Sequence, residues 1–477
     1  MSQPPQFPFV DGQYCDQELD GSVALVNPAN EESWAEVGQA SNALADRAIQ
    51  SAQQSFEQTW RDLAPGRRAE ILFAVAREIR ARLEELAQLE CQNIGKPISD
   101  ARDEISLGAT VFEYYAGAID KFCGETIPVA RGGFDFTWHQ PLGVVAAITP
   151  WNFPFPIACW KVAPALAAGN CVVLKPANLS PLTALALGEI AAAAGLPAGV
   201  LQVIPGPGSS IGEVLTGHPL IRKISFTGST DVGKGVMRAA SNDLKRISLE
   251  LGGKSPNIVF ADADLARAAD ESPLSVFANT GQDCCARSRM FIERSVFDEF
   301  VDRFLSASAS LRVGNPSDES TQLGPLVSSS QRDTVSDFYK DAQLSRRTIA
   351  MGGPGEFSKG YFWQPTVILN PDYGDRCWQE EIFGPIVCLS PFDDEGAMMA
   401  EVNRTPYGLS GSIWTQDISR ALRVCRGVQA GVLSVNSHSS VHVQAPFGGF
   451  KQSGIGRDLG MHALRGYTEL QNVYVAE

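Results

Sequence analysis

Two side chains near the middle of the chain have types and spacing suited to covalent catalysis. Cys284 lies in a loop that begins at Gly281, and Glu250 lies upstream, just before the pair Gly252 and Gly253. A cysteine thiolate is a soft nucleophile that adds to a carbonyl carbon, and a carboxylate within reach accepts a proton or activates water. The pair therefore predicts covalent chemistry on a carbonyl compound.

Both residues also have plainer interpretations. A buried cysteine is most often an inert, small hydrophobic residue, and Glu250 has the alternative of a structural carboxylate that pairs with a cation. A thiol protease would combine such a cysteine with a histidine, but the five histidines of the chain form no familiar protease pattern. The residues alone leave these alternatives open.

Short apolar runs alternate with Ala-rich helical segments around these residues. The runs predict strands at 144–149, 171–174, 200–204, 223–226 and 257–260. Strands separated by helices form βαβ units, and parallel sheets of this kind bind ligands at the carboxyl ends of their strands. Because a second alternating region spans 251–431, the predicted fold class is α/β with two parallel-sheet domains.

The spacing of apolar residues also predicts helices. One long amphipathic helix is expected on the surface over 65–95, and shorter helices over 184–194 and 296–311. The segments 123–139 and 467–475 alternate apolar with polar residues and are expected to pair as an exposed arm. Another subunit would cover the edge of such an arm.

Composition excludes several classes of protein. With 477 residues, of which 44% are hydrophobic and 19% charged, the chain is typical of globular proteins with two or three domains. A formal net charge of −15 argues against nucleic acid and membranes as partners. The first residues lack the basic and apolar regions of a leader segment, and no apolar run is long enough to span a bilayer. We therefore expect a cytoplasmic location.

The cysteines and histidines provide no framework for a metal. The 10 cysteines include no Cys-x-x-Cys pair and are expected to be reduced thiols. His438 and His442 are spaced as His-x-x-x-His, but no cysteine or carboxylate lies close in sequence to complete a zinc site. We predict no structural metal.

Three predicted strand ends carry groups that suit a ligand. The turn with Gly228, Ser229 and Gly233 would direct the N–H groups of a helix amino terminus at a pyrophosphate. Lys175 follows another strand, and Asn152 lies between prolines, where a rigid amide suits a developing oxyanion. Each signal alone is weak, because capping serines, solvated lysines and turn asparagines are common.

Six motifs occur along the chain in a fixed order. They are Pro-Trp-Asn-Phe-Pro (150–154), Phe-Thr-Gly-Ser-Thr (226–230), Leu-Glu-Leu-Gly-Gly-Lys (249–254), Gly-Gln-Asp-Cys (281–284), Glu-Glu-Ile-Phe-Gly-Pro (380–385) and Pro-Phe-Gly-Gly-Phe-Lys (446–451). Together they resemble the aldehyde dehydrogenase superfamily, specifically its hydrolytic, NAD(P)-dependent branch and its betaine and amino-aldehyde type members. The resemblance covers almost the whole chain, and six motifs in register are far more specific than any one of them.

The resemblance implies a catalytic set of Cys284, Asn152 and Glu250. Cys284 would attack the aldehyde, and the Asn152 amide with the Cys284 backbone N–H would hold the oxyanion of the thiohemiacetal. After hydride passes to the nicotinamide, Glu250 would deprotonate the water that hydrolyses the thioester. The product would be a carboxylic acid.

The resemblance also implies a dinucleotide site. Its residues would be Trp151, Lys175, Asn178, Gly208, Gly212, Gly228, Ser229, Gly233, Glu381 and Phe383. Asn178 stands where many NAD-preferring members carry a glutamate that grips the ribose hydroxyls, and this change removes a charge that would repel a 2′-phosphate. We expect NAD as the cofactor, with NADP as an alternative.

By the same register, Phe153, Trp160 and Phe447 should line an apolar tunnel for the aldehyde. Asp283 adds a carboxylate that would attract an amino or trimethylammonium aldehyde, with a cation–π contact from Trp160. A further departure is Asp458, which stands where many members carry a glutamate that lines the water path.

Two other functions are compatible with the resemblance. Members that acylate coenzyme A usually lack the carboxylate found here at Glu250, and a catalytically inactive structural relative would not need Cys284 or Asn152. The implied fold has a Rossmann-like cofactor-binding domain (1–122 and 142–252), a catalytic domain (253–452) and an oligomerisation arm (123–141 and 453–477). Such proteins assemble as dimers or tetramers.

Overall fold

Two large sheets dominate the structure, a computed structural model that describes residues 4–439 and 441–476. Met1, Ser2 and Gln3, on which part of the expectation about a leader segment rests, lie outside the described residues. The α/β prediction is confirmed, because most strands of both sheets are parallel and alternate with helices.

Among the described residues, eleven strands form the parallel parts of the two large sheets, and nine others form their edges and the smaller sheets. In chain order they are β1 (Phe9–Val10), β2 (Gln13–Tyr14), β3 (Leu19–Asn27), β4 (Glu32–Ala40), β5 (Thr126–Ile127), β6 (Phe134–Pro141), β7 (Val144–Ile148), β8 (Cys171–Lys175), β9 (Leu201–Val203), β10 (Ile221–Thr227), β11 (Arg246–Glu250), β12 (Pro256–Val259), β13 (Arg289–Glu293), β14 (Thr348–Gly353), β15 (Gln364–Leu369), β16 (Ile386–Phe392), β17 (Ser410–Trp414), β18 (Val432–Val435), β19 (Gly454–Ile455) and β20 (Thr468–Val475).

The α-helices lie mainly on the faces of these sheets. They are α1 (Asn42–Ser55), α2 (Pro65–Ala81), α3 (Leu83–Ile94), α4 (Ile98–Ala118), α5 (Pro154–Ala167), α6 (Leu182–Ala193), α7 (Glu213–Gly217), α8 (Thr230–Ser241), α9 (Leu265–Phe277), α10 (Phe297–Ala309), α11 (Ser329–Leu344), α12 (Arg376–Gln379), α13 (Glu395–Asn403), α14 (Ile418–Gly427) and α15 (Gly460–Gly466).

The first sheet has the strand order β19-β11-β10-β7-β8-β9-β1-β2. Its five central strands are parallel, and β7 and β8 are apolar and buried on both faces. Continuous apolar strands of this kind are typical of a parallel sheet covered by helices on both sides. The strands predicted between 144 and 226 are therefore confirmed.

The second sheet has the order β14-β15-β16-β13-β12-β17-β18, and all its pairs except β14 with β15 are parallel. Two apolar clusters pack on it, one around Trp378 and the other around Phe304. The predicted strand 257–260 corresponds to β12, which lies at its centre.

The prediction of one long helix over 65–95 is wrong. Two helices, α2 and α3, occupy this segment, and Arg82 between them has φ −104° and ψ 17°, outside the helical region. The Arg82 guanidinium pairs with Glu85 at 2.7 Å and with Glu189 at 3.3 Å. Both α2 and α3 pack against α4 and α6. Those tertiary contacts are not visible in the apolar spacing of a single helix.

The predicted pairing of the two alternating segments is confirmed. β20 pairs with β6 along its whole length, antiparallel, and β6 pairs with β5 to give a three-stranded sheet. β20 is one edge of this sheet, and side chains such as Trp138 and Leu470 are exposed. None of the helices in the described ranges is both long and apolar enough to cross a bilayer.

Candidate active site

Three neighbouring parallel strands bring candidate residues to one edge of the first sheet. β11, β10 and β7 lie side by side. Asn152 follows β7, Gly228 follows β10, and Glu250 is the last residue of β11. Because the carboxyl ends of parallel strands share an edge, these residues lie close together although they are far apart in sequence.

The loop before Cys284 has a strained backbone. Asn279 and Thr280 have φ angles of 50° and 55°, and Gly281 follows at 71°. A β-branched residue rarely adopts this left-handed conformation, so the surroundings must stabilise it. The Thr280 hydroxyl supplies part of this support, because it donates to Gly324 O at 2.8 Å.

Two glycines let this loop pack closely against its neighbours. The backbone of Gly253 lies against Cys284 O, and that of Gly281 lies against Gly384 O. A Cβ at either position would overlap with the carbonyl oxygen, so no other residue type fits without a shift. The Gly252 and Gly253 turn thus fixes the position of Cys284 relative to β11.

Asn152 is hydrogen-bonded to the same loop. Its Nδ2 donates to Gln282 O at 2.9 Å. Its own backbone O accepts from Asn279 Nδ2 at 3.0 Å and from Lys96 Nζ at 2.9 Å. A side-chain amide carries two hydrogens, so one remains to donate to a carbonyl oxygen of a ligand.

A cavity of about 580 Å³ lies between the two large sheets and is lined by both Cys284 and Glu250. All four residues that the resemblance assigns to the substrate also line it: Phe153, Trp160, Asp283 and Phe447. The rings of Trp160 and Phe447 meet edge to face at 5.4 Å. The structure therefore brings the proposed nucleophile, base and substrate residues around one space.

Glu250 is buried, and neither of its carboxylate oxygens has a hydrogen-bond partner among the described residues. Burial raises the pKa of this carboxyl well above its ordinary value, and the nearby Asp458 raises it further. A carboxylate with a raised pKa is a stronger base than an exposed one. This environment suits a group that removes a proton from water.

Asp458 is itself buried and paired. Its Oδ2 lies 2.9 Å from Lys161 Nζ, which also donates to Ser225 Oγ at 3.0 Å. Lys161 and Arg457 both lower the pKa of Glu250 and so oppose the effect of Asp458. The aspartate that replaces the family's common glutamate thus belongs to a charged cluster behind the cavity.

The pKa of the Cys284 thiol is raised well above its ordinary value. The hydrogen bond with the Cys285 thiol is the largest cause, followed by burial, and the carboxyl of Asp283 adds to both. Cys284 is therefore mainly a thiol in the protein alone, and it needs a base to become a nucleophile. Glu250 lines the same cavity and can serve as that base.

The residues expected to hold a dinucleotide lie at the same sheet edge but outside this cavity. Lys175 ends β8, and Gly208 and Gly212 bound a single turn of π-helix that follows β9. Gly228 and Ser229 connect β10 to α8, on which Gly233 lies. The carboxyl ends of five neighbouring strands, β7 to β11, thus carry candidate residues for the two sites.

Lys175 and Asn178 have polar groups that lack strong partners. In the described part of the chain the Lys175 ammonium donates to Pro176 O alone, at 3.3 Å, and burial lowers its pKa to about 8. The buried Asn178 Oδ1 has no hydrogen-bond partner among the described residues. Buried polar groups of this kind are usually satisfied by a ligand or by water.

The start of α8 is another site for a polar ligand. The side chain of Ser229, which precedes the helix, makes no capping hydrogen bond. The first N–H groups of a helix have no intrahelical acceptor, and the helix dipole favours an anion there. A phosphate group placed at this turn would meet both requirements.

Glu381 and Phe383 lie between α12 and β16. Glu381 Oε1 accepts a hydrogen bond from Gly253 N–H at 2.9 Å, and burial raises the pKa of its carboxyl to about 7. The ring of Phe383 meets the ring of Trp151 edge to face at 5.2 Å. These contacts connect the second large sheet to the turn that carries Asn152.

One group of potential metal ligands coincides with the nucleophile. Asp283, Cys284 and Cys285 place one ligand atom each within 4.8 Å of one another. Thiols favour soft metals such as Zn²⁺ and Cu⁺, but a metal bound here would block Cys284. The absence of a structural metal therefore stays a prediction.

Comparison with known proteins identifies the family. The sequence model of the aldehyde dehydrogenase family matches residues 14–473. This chain belongs to the aldehyde dehydrogenase family. DhaS of Bacillus subtilis is 40% identical to it over 469 residues, which are 98% of this chain and 95% of DhaS.

Solved aldehyde dehydrogenase structures share the whole fold. The NAD⁺ complex of betaine aldehyde dehydrogenase from Staphylococcus aureus has a TM-score of 0.96 and 35% identity, covering 99% of this chain and 95% of that one. The complex of the P. syringae indole-3-acetaldehyde dehydrogenase AldA with NAD⁺ and IAA has a TM-score of 0.98 and 38% identity, covering 100% and 97%.

Several residues that line the cavity of this aldehyde dehydrogenase were not predicted from the sequence. Glu104 lines the cavity and is paired with the fully buried Lys96, which also lies 4.2 Å above the ring of Phe153. In the sequence, nothing about Lys96 or about Glu104, eight residues later on α4, indicates a contact with Asn152. Only the packing of α4 against α5 brings them there.

Arg287 and His438 also line the cavity and were not predicted to do so. His438 was considered only as a chance partner of His442. Its Nδ1 lies 3.0 Å from Ser412 Oγ, and burial together with Arg287 lowers its pKa to about 3. A neutral His438 therefore contributes polarity to the cavity without adding charge.

Replacement of Lys96 by methionine is expected to destabilise the protein by about 1–3 kcal/mol, because Glu104 and Asn152 O lose their buried ammonium donor. Burial raises the pKa of Glu104 to about 8, so its carboxyl is protonated rather than left as a bare charge. Urea denaturation of the variant beside the wild type measures the change. The matched control is Lys121→Met, which removes an ion pair with Asp120 that is exposed on both sides. Equal loss of stability in the two variants would contradict the assigned role of the buried pair.

Proposed function

We propose that this protein oxidises an aldehyde to its carboxylic acid with NAD as the electron acceptor. The observation that carries the proposal is the cavity that Cys284 and the buried, partnerless Glu250 both line, with the Asn152 amide hydrogen-bonded to the loop that carries Cys284. This arrangement supplies a nucleophile, a base and an oxyanion donor for chemistry on one carbonyl group.

Glu250 supports hydrolysis rather than acyl transfer to coenzyme A. A buried carboxylate with a raised pKa in contact with the cavity would activate water against any thioester formed on Cys284. An enzyme that must preserve the thioester for coenzyme A gains nothing from such a base. The presence of all three catalytic candidates likewise argues against an inactive relative.

The donor groups at the strand ends fit NAD. The uncapped start of α8 suits its pyrophosphate, and the poorly satisfied groups of Lys175 and Asn178 suit ribose hydroxyls. Glu381 and Phe383 would hold the nicotinamide ribose and ring. The chemistry that bound NAD supplies is the removal of hydride from the carbon attached to sulfur.

The protein's own groups would perform the remaining work. Glu250 accepts the Cys284 proton, and the thiolate adds to the aldehyde to form a thiohemiacetal whose oxyanion the Asn152 amide stabilises. Before hydrolysis Glu250 releases this first proton to solvent. At the thioester stage it removes a proton from water, the hydroxide adds to the acyl carbon, and the Cys284 thiolate leaves. The carboxylate product and a free cysteine result.

Residue 178 is proposed to set the choice between NAD and NADP. Asn178→Glu is expected to lower kcat/KM for NADP by at least about tenfold relative to NAD, because a carboxylate there repels a 2′-phosphate and accepts from a ribose hydroxyl. Initial rates with both cofactors measure the ratio. The control is Asn178→Gln, which lengthens the side chain without adding charge. An unchanged ratio of kcat/KM for NADP to that for NAD in Asn178→Glu would contradict the placement of the ribose at residue 178.

The lining of the cavity favours an aldehyde with an apolar or aromatic group. Phe153, Trp160 and Phe447 provide three aromatic faces. Asp283 accepts a hydrogen bond from Cys285 N–H at 2.8 Å and interacts with the cationic Arg287, so little of its charge is left for a substrate cation. We therefore place neutral aldehydes ahead of cationic ones. Selection of cationic aldehydes by Asp283, expected from the sequence, is the alternative that the substrate panel tests.

Initial rates of NAD reduction test the function and the substrate class together. The panel contains propanal, an aromatic aldehyde, betaine aldehyde and 4-aminobutanal, each with and without coenzyme A. Turnover without coenzyme A and a preference for the aromatic aldehyde would support the proposal. Dependence on coenzyme A, or no reduction by the folded protein, would overturn it, and a preference for betaine aldehyde would overturn the substrate class.

We infer that the three-stranded sheet serves self-association as a dimer or tetramer. The edge strand β20 exposes unpaired backbone groups together with Tyr474 and Val475, and such edges pair readily with another chain. The proposed domains remain 1–122 with 142–252, 253–452, and 123–141 with 453–477, although β19 at the start of the last segment pairs with β11 of the first sheet. Light scattering after size exclusion tests the oligomeric state.

A further inference from the structure

A second cavity, of about 600 Å³, is lined by residues of β10, β11, α15 and the start of β20, and it shares no lining residue with the cavity that holds Cys284. Four cationic side chains line it against one carboxylate, that of Glu469: Lys223, Arg246, Arg457 and Arg465. The chain as a whole carries a net charge of −15. A concentration of positive charge in one concave site of an acidic protein focuses the field on small anions.

Lys223 is the central group of this cavity. Its side chain is 3% exposed, and its closest interaction is with the ring of Tyr467, whose centroid lies 4.8 Å from Nζ. Within the described ranges no oxygen accepts a hydrogen bond from this ammonium. Burial lowers the pKa of Lys223 to about 8, although Asp458 opposes the effect. A buried ammonium that lacks a hydrogen-bonded partner is costly unless a ligand or water supplies one.

The surrounding cations differ in how far they are already paired. Arg246 donates two hydrogen bonds to Glu469, at 2.6 and 2.9 Å. The carboxylate that lines the cavity is therefore already paired. Arg457 donates to the backbone O of Gly449 at 3.2 Å. The exposed Arg465 makes no ion pair within the described ranges and is free to turn toward the cavity.

We propose that this cavity binds a small phosphate-bearing anion, with Lys223 and Arg465 as its main ligands. Ammonium and guanidinium groups form strong hydrogen bonds with phosphate oxygens. Here they face a space whose lining carboxylate, Glu469, is paired with Arg246, and the nearby Asp458 is paired with Lys161. The site is separate from the aldehyde cavity and the dinucleotide residues, and the proposal does not depend on the oxidation of aldehydes.

Calorimetric titration of the full-length protein with inorganic phosphate at pH 7 tests the site. Saturating NAD is present throughout, so that phosphate cannot bind at the dinucleotide site. We expect saturable binding that weakens at least about tenfold in Lys223→Met and several-fold in Arg465→Gln, since each removes a charge-assisted hydrogen bond. The matched control is Arg222→Gln, an exposed arginine beside Lys223 that does not line the cavity, and it should bind as the wild type does.

Two results would overturn the proposal. One is the absence of saturable binding by the wild-type protein with NAD present, and the other is binding by the Lys223 and Arg465 variants that is as tight as that of the wild type. If Lys223→Met fails to fold, Arg465→Gln at the exposed rim still decides. A second titration with glycerol 3-phosphate separates the sources of the phosphate group: tighter binding than inorganic phosphate supports an organic phosphate ester, and weaker binding supports the free ion.

Discussion

Replacement of Cys284 by alanine is expected to lower kcat for aldehyde oxidation by about four orders of magnitude or more. Removal of a covalent nucleophile eliminates the thiohemiacetal route, and comparable knockouts of nucleophiles in other enzymes have effects of this size. Stopped-flow and steady-state measurement of NADH formation would detect the loss of both the first and later turnovers.

The matched control for this prediction is the neighbouring thiol. Cys285→Ala removes a sulfur that lines the same cavity and hydrogen-bonds to Cys284. Because this hydrogen bond is the largest cause of the raised pKa of Cys284, its loss should lower that pKa and leave substantial activity. If alanine at 285 abolishes turnover and alanine at 284 does not, the nucleophile has been assigned to the wrong cysteine.

NAD binding separates loss of chemistry from loss of structure. NAD should quench the tryptophan fluorescence of Cys284→Ala as it does that of the wild type, because the dinucleotide residues lie outside the cavity that Cys284 lines. Loss of NAD binding together with activity would instead indicate that the strained loop at 279–281 has collapsed.

The sequence predicted the chemistry better than the geometry that supports it. The strand ends that carry Asn152 and Lys175 followed from apolar runs and from the rule that parallel sheets bind ligands at their carboxyl ends. Local patterns are enough for such positions, because the strand and its turn are adjacent in the chain. The strand that ends at Glu250, β11, was not predicted.

Features that depend on distant contacts were not predictable in this way. The left-handed backbone at Asn279 and Thr280 is held by groups from other segments, such as Gly324 O. Lys96 reaches Asn152 O only through the packing of helices, and Arg82, at the break between α2 and α3, pairs with Glu189 on α6. In each case the tertiary environment outweighs the local preference of the chain.

Replacement of Glu250 by glutamine is expected to separate the two halves of the reaction. A general base contributes about 10²- to 10⁴-fold, so deacylation should slow by that factor while the first turnover still releases NADH. The expected trace is a burst of one NADH for each active site, followed by a slow phase. Hydroxylamine, which attacks the thioester without a base, should restore turnover and yield the hydroxamate.

The control is Glu271→Gln, which changes another carboxylate that lines the cavity but is paired with Arg267 at 2.7 Å. Its kcat should stay within a few-fold of the wild type. Absence of the burst in Glu250→Gln would contradict this separation, because it would show that loss of the base for Cys284 slows the first turnover at least as much as loss of the base for water slows hydrolysis.

The pH dependence of the wild type provides an independent test of the same carboxylate. Glu250 acts as a base only when deprotonated, and burial with Asp458 raises its pKa well above the ordinary value. The rate of deacylation should therefore rise with pH. The midpoint of this rise should lie well above the ordinary pKa of an exposed glutamate. Glutamine does not titrate, so the slow phase of Glu250→Gln should lose this acid limb, whereas Glu271→Gln should keep it. Retention of the limb in Glu250→Gln would assign it to a different group.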